Sequence, residues 1–199
     1  MSQRVFLVTG VTSGIGKAIA FGLAKTGEIV LLVVRDHERG TAVYEEIMAE
    51  IQNPNVNLLT CDLSSIGSIN SFVTSIKSKY PKIDVLINDA AVVKRERNTN
   101  VDGYELMFAT NHLGPFLLTN LLLDSLKAGG SARILNITAP SNVKPNFEDL
   151  QSREDFNYLK IFGATKMMNL LFTFELARRL EGTGVTVNAV HPGLARSNL

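Results

Sequence analysis

Apolar residues along this chain gather in short, nearly unbroken runs separated by amphipathic stretches. Runs of strand length cover Arg4 to Thr9, Glu28 to Val34, Val56 to Thr60, Ile83 to Asn88, Ala132 to Thr138 and Val185 to Val190. Strands read this way when helices cover both of their faces. Between them the apolar spacing turns helical: Ile15 to Thr26, His37 to Ile51, Ile66 to Tyr80, Asp102 to Lys127 and Phe156 to Leu180. The second helix sets Ala42, Val43, Ile47, Met48 and Ile51 on one face, and the third sets Ile69, Phe72, Val73 and Ile76. Gly27, Asn53-Pro54-Asn55, Pro81 and Gly129-Gly130 punctuate the elements. Gly114-Pro115 falls inside the fourth helix and predicts a bend there. Lys94 to Asn100 and Ala139 to Asp155 read as loops. Alternation at βα spacing predicts an α/β fold: a Rossmann-like, doubly wound parallel sheet, with ligands at the carboxyl ends of its strands. Residues 1–199 read as a single nucleotide-binding domain of this kind.

Composition narrows the class without naming a chemistry. The 199 residues suffice for one domain with a real core and are short for two. A net charge of +1 gives no reason to expect nucleic acid or an acidic membrane as partner. Cys61 is the only cysteine, so no internal disulfide forms, and it reads as a small buried hydrophobe. Phe116 to Leu123 is too short to span a bilayer. No secretory signal is evident at the amino end, so a cytoplasmic location is expected.

The candidate chemistry sits at the strand ends. Thr9-Gly10-Val11-Thr12-Ser13-Gly14-Ile15-Gly16 follows a strand and opens a helix. In that context Gly10 permits a tight turn, Gly14 lets the backbone approach a diphosphate, and Gly16 lets helix and strand pack. The anion would rest on free amides at the helix start. Arg35, after the second strand, favours pairing with a 2′-phosphate, hence NADP(H) over NAD(H). Asp36 beside it reads as a helix N-cap. Asp62 either accepts from an adenine amine or caps the third helix. Asn88 ends the fourth strand. Asn111 inside a helix is either a network residue or a helix defect. Lys166 interrupts an apolar stretch, as a site residue or a snorkelling lysine.

Taken together, these motifs resemble the short-chain dehydrogenase/reductase family over Arg4 to Leu199, and within it the retinol-dehydrogenase-like branch. The glycine motif, Arg35 and the pair Asp62-Leu63 match the family's cofactor contacts. Asn88-Asp89-Ala90-Ala91 stands where the family has Asn-Asn-Ala-Gly, which marks Asn88 and Ala90 as contacts. Asn111-His112 matches the branch's Asn-His pair. Glu175 to Leu180 matches a helix motif. His191-Pro192-Gly193 matches the segment near the nicotinamide, with Pro192, Gly193 and Ser197 as further contacts. The resemblance implies hydride transfer between NADP(H) and a small carbonyl or alcohol. An apolar or retinoid-like substrate is what the branch suggests. It also implies a homodimer through a four-helix contact involving Leu117, Leu118, Leu121, Leu122, Met168, Leu171, Phe172 and Phe174.

In the family a tyrosine serves as acid or base, a lysine lowers its pKa, a serine orients the carbonyl, and an asparagine holds a relay water. Lys166 and Asn111 match the lysine and the asparagine. Phe162 falls at the tyrosine position and Ala139 at the serine position. Thr138 is expected to point to the other face of the sheet, while Ser141 and Tyr158 are the nearest substitutes. This reading expects low or absent carbonyl reduction. Its alternative is a catalytically inactive nucleotide-binding regulatory or partner protein. The chain is also expected to lack the family's last edge strand and its substrate-covering segment, since it stops soon after the sixth strand.

Overall fold

The computed structural model describes residues 3–193. Among the described residues six parallel strands form one sheet in the order β3-β2-β1-β4-β5-β6. The strands are β1 (Val5–Thr9), β2 (Ile29–Val34), β3 (Val56–Thr60), β4 (Val85–Asn88), β5 (Arg133–Ile137) and β6 (Thr186–Val190). All five residues of β1 are buried, and so are five of the six in β2, which explains their unbroken apolar reading. Successive residues alternate between two cores. Leu7, Leu31, Leu86 and Ile134 face one, with Ile69, Phe72, Leu118 and Leu176 from helices packed on that side. Val8, Val30, Leu32 and Ile87 face the other, with Ala20, Ala24, Val43 and Ile47. Strand order reverses beside β1, where a crevice opens at the carboxyl ends.

Three helices connect the early strands: α1 (Gly14–Ala24), α2 (His37–Glu50) and α3 (Ile66–Lys79). Asp36 caps α2, its carboxylate accepting from the Arg39 amide at 3.1 Å, as the sequence predicts. Ser65 caps α3 through the Ser68 amide. Among the described residues no helix is long and apolar enough to cross a membrane.

The expected helix from Asp102 to Lys127 is instead four pieces. It comprises α4 (Leu106–Phe108), a π turn (Ala109–Leu113), α5 (Gly114–Leu121) and α6 (Leu123–Lys127). Asp102 is not helical because its carboxylate accepts the Ile66 amide that opens α3, at 2.8 Å. Glu105 sets the start instead, accepting from the Met107 and Phe108 amides. Pro115 carries no amide to offer the Asn111 carbonyl. Asn169 supplies that donor from the last helix, Nδ2 to O at 2.8 Å. The last helix, α7 (Tyr158–Arg179), begins two residues later than expected because Asn157 caps it through the Leu159 and Lys160 amides.

Candidate active site

Backbone geometry at the first β–α corner admits only glycine at its critical points. Gly10 has φ of 77°, and a Cβ there would stand 2.7 Å from Ala90 Cα. A Cβ on Gly16 would stand 2.3 Å from the Gly10 carbonyl oxygen. The loop after β4 is therefore packed directly on the glycine turn. Thr9 locks the two together. Its buried hydroxyl accepts from the Asp89 and Ala90 amides at 3.1 and 3.2 Å, and donates to the Ile87 carbonyl at 3.4 Å. Ser13, at the N-cap of α1, makes no side-chain capping bond, so the side chain leaves the first-turn amides to another acceptor.

A cleft of about 450 Å³ runs from this corner across the strand ends. Gly10, Thr12, Ser13, Gly14 and Ile15 form its floor. Arg35, Asp36 and Arg39 close one end, with Asp62 and Leu63 beside them. Ala90, Ala139, Phe162, Lys166, Pro192 and Gly193 line the other. The sequence reading thus gathers most of its chosen residues into one depression. Ser197 lies outside the described residues. Gly16 lies just behind the floor, holding the corner closed. Asp62 also does local work, its Oδ1 accepting from the Ser64 amide and hydroxyl at 2.8 and 2.7 Å.

Two chosen asparagines sit beneath the cleft rather than in its wall. Asn88 Nδ2 donates to Thr119 Oγ1 and Asn136 Oδ1. Asn136 in turn donates to Thr173, whose hydroxyl donates to the Asn169 carbonyl. Asn111 exchanges a pair of hydrogen bonds with the Val92 backbone, at 2.8 and 2.9 Å. Asn111 thereby fixes the loop after β4 from behind. The two asparagines and α7 form one buried polar network, every step of which is a hydrogen bond.

Lys166 is 6% exposed, and its Nζ donates to the Ile137 carbonyl at 3.2 Å. Burial pushes its pKa down, and the nearby Asp89 carboxylate partly restores it. Its ammonium lies 5.5 Å from the Phe162 ring centre, within cation–π range. Asp89 is itself pushed up to about 6 by burial, against the opposing pull of Lys166 and of the Gly16 amide. The sequence reading passes over Asp89, Arg39 and Thr110. Arg39 was legible as a second guanidinium four residues after Arg35, in the first turn of α2. Thr110 carried no such signal: its buried hydroxyl, among the described residues, has no hydrogen-bond partner, and the residue lines the cleft.

The donor set suits a long anionic ligand. The glycine corner is a cradle any Cβ would fill, α1 points its amino end into it, and two guanidiniums, an unpartnered buried hydroxyl and a buried ammonium line the same cleft.

One expectation about the chemistry is corrected. Phe162 and Ala139 stand at the tyrosine and serine positions of the resemblance, from which the sequence predicts low or absent activity, or an inactive regulatory protein. The chain keeps a serine, a tyrosine and a lysine at Ser125, Tyr158 and Lys160, so two apolar positions do not establish an inactive chain. Ser125 is buried in α6, where its carbonyl accepts the Ile83 amide below β4. Tyr158 opens α7 one turn ahead of Phe162, and Lys160 follows it, 3.7 Å from Asp155. Hydroxyls also flank Ala139. Thr138 turns to α7 as Asn136 does two residues earlier, as strand alternation expects: its hydroxyl donates to the Lys166 carbonyl at 3.1 Å. Ser141 lies against Gly163 on α7, its Oγ 3.0 Å from where a Cβ would be.

Comparison with known proteins agrees with this architecture. The short chain dehydrogenase family profile matches residues 4–199. Retinol dehydrogenase 13 of Homo sapiens is 44% identical over 98% of this chain and 60% of its own length. Retinol dehydrogenase 12 of Mus musculus is 40% identical over 98% of this chain and 63% of its own length. The chain therefore spans about three-fifths of these relatives. Among solved structures, a metagenomic short-chain oxidoreductase in complex with NADP superposes with a TM-score of 0.78 at 27% identity, covering 96% of this chain and 82% of that one. A short-chain dehydrogenase from Sphingobium yanoikuyae in complex with NADPH gives 0.79 at 26% identity, covering 98% and 72%. With its cleft at the reversal of a 3-2-1-4-5-6 sheet and a profile match from end to end, the chain belongs to the short-chain dehydrogenase family, in its retinol-dehydrogenase-like branch.

Proposed function

We propose that residues 1–199 form one nucleotide-binding domain of an oxidoreductase that uses NADP(H) and acts on a small carbonyl or alcohol. The observation that carries this reading is the buried Lys166 ammonium across the cleft from an α1 amino end without a side-chain cap. When bound, the nicotinamide supplies or takes the hydride. The chain's residues do the rest. Amides from Ser13 to Gly16 receive the diphosphate, and Arg35 with Arg39 receives the 2′-phosphate. Thr110 offers its unpartnered hydroxyl from the cleft wall. Lys166 holds positive charge beside the reacting oxygen, and Asn111 keeps the Val92 loop against the substrate side. Val92, Val93 and Phe162 line that end, which suits an apolar substrate. The relatives named retinol dehydrogenase support the same substrate class. For assembly, Leu118 and Leu122 are spent on the core, but Phe116, Leu171 and Phe174 remain exposed on α5 and α7. Their pairing with a second copy would form the four-helix contact of a homodimer.

Calorimetry with NADPH and NADH, followed by turnover on a panel of aldehydes and ketones, tests this. NADPH is expected to bind at least tenfold tighter, and Lys166→Met to lower kcat by roughly 10²-fold or more without a matching loss of NADPH affinity. Tyr158→Phe in the same assay assigns the proton: a fall in kcat at unchanged NADPH affinity gives it to that phenol. Failure to bind either dinucleotide, or binding without turnover of any carbonyl, refutes the proposal.

A further inference from the structure

The fold presses the Asp89 carboxylate against the start of α1. A Cβ on Gly16 would stand 2.6 Å from Asp89 Oδ2, so the carboxylate lies on the first turn of that helix. The Asp89 amide is pinned to Thr9 Oγ1, which fixes the backbone that presents it. The residue also lines the cleft. In the family motif the corresponding side chain is a neutral asparagine, so the charge is this chain's own departure. The amino end of α1 is thus asked to serve two anions, Asp89 and the diphosphate of a bound dinucleotide. In a partly dry cleft two negative charges sharing one helix end repel strongly.

We propose that Asp89 is a working member of the dinucleotide cleft which takes up a proton when an anionic dinucleotide binds, so that pH sets the affinity of the site. This deepens the cofactor reading and rests on it. Proton uptake removes the charge that opposes the diphosphate and leaves a neutral carboxylic acid of asparagine's shape against Gly16. Burial has already moved the Asp89 carboxyl up to about 6, close enough to neutrality for a bound anion to complete the shift. Of the charged groups on the surrounding elements, Lys166 from α7 is the one that acts on Asp89 through space. Arg35 and Asp36 after β2, Arg39 in α2, Asp62 after β3, Lys94 beyond β4 and His191 after β6 line the same cleft. Lys17, on the next turn of α1, is turned outward to Glu46.

The test is calorimetric titration with NADPH and with NADH from pH 5.5 to 8.5, for the unaltered chain and for Asp89→Asn. Each pH is run in two buffers of different ionisation enthalpy, so that protons are counted. The 2′-phosphate of NADPH titrates near 6 on its own. NADH lacks it, and the difference between the two proteins cancels it. At pH 5.5 the two proteins are expected to bind alike. At pH 8 Asp89→Asn is expected to bind roughly tenfold tighter, the value of one pKa unit of coupling. The unaltered chain is expected to take up more protons with NADH than the variant does. The proton count on the unaltered chain with NADH stands even where the variant does not fold. Binding curves that run parallel with pH, or NADH binding without proton uptake, overturn the inference while leaving the cofactor reading intact. No binding of either dinucleotide by either protein overturns both.

Discussion

Asn169→Leu exposes how the broken helix between Glu105 and Lys127 is held. In the native chain Asn169 Nδ2 donates to the Asn111 carbonyl at 2.8 Å, and its Oδ1 meets His112 Nδ1 at 2.8 Å. Leucine keeps much of the side-chain bulk and removes both partners. Asn111 is 1% exposed, so water does not replace the donor. The next candidate amide along the chain belongs to Pro115 and does not exist. The buried Asn111 carbonyl left without a partner costs about 1–3 kcal/mol and the half-buried His112 loses a hydrogen bond worth about 1 kcal/mol, so the pair predicts a loss of about 2–4 kcal/mol. With a urea slope of about 2 kcal/mol per molar, the unfolding midpoint should fall by about 1–2 M. The chain has no tryptophan, so far-ultraviolet circular dichroism is the suitable probe. Pro115→Ala supplies an amide at position 115 and should cost less in the Asn169→Leu background than alone. A midpoint shift below about 0.3 M, or strict additivity of the two changes, would refute the account of the π turn.

Three further outcomes follow from the same geometry. Gly16→Ala places a methyl 2.3 Å from a backbone oxygen and should abolish NADPH binding, whereas Gly22→Ala, with nothing within 4 Å, should be neutral or stabilise α1 by up to ~1 kcal/mol; calorimetry and thermal melts distinguish them. Arg35→Glu should weaken NADPH by roughly 10–100-fold and leave NADH nearly unchanged, since only the former carries the 2′-phosphate. Asp89 binds its proton more tightly folded, near pH 6, than unfolded, near 3.8. Native protein therefore holds more protons than unfolded chain between those values, and stability falls as pH rises through that window. Asp89→Asn should match the native chain below about pH 4 and exceed it above about pH 6 by up to ~3 kcal/mol, less what Lys166 loses in its nearest negative charge; urea melts at both ends of the range decide it.

The sheet and its order of elements were legible because the parallel strands bury both faces and so read as continuous apolar runs. The glycine corner was legible because its constraints are local: strand, turn and helix lie within a dozen or so residues. Where the sequence misled, a distant partner decided. Only Pro115 hinted that the fourth helix breaks, and the donor that makes the break tolerable, Asn169, lies on α7. Phe156 looked helical by its spacing, but the Asn157 side chain competes for the first amides of α7 and moves the start. Asp89 read as one polar residue in a familiar motif. Its meaning comes from the burial, the ammonium and the helix end that the fold assembles around it.

Thr9 has a mechanical consequence. One oxygen atom joins the carbonyl of Ile87 and the amides of Asp89 and Ala90 to the strand that leads into Gly10. Those two lips of the cleft are thereby a single jaw that does not spread. Whatever room a ligand requires on entry has to be made by the opposite jaw, built from the stretch after β5 and the segment after β6, where Ala139 and Pro192 stand.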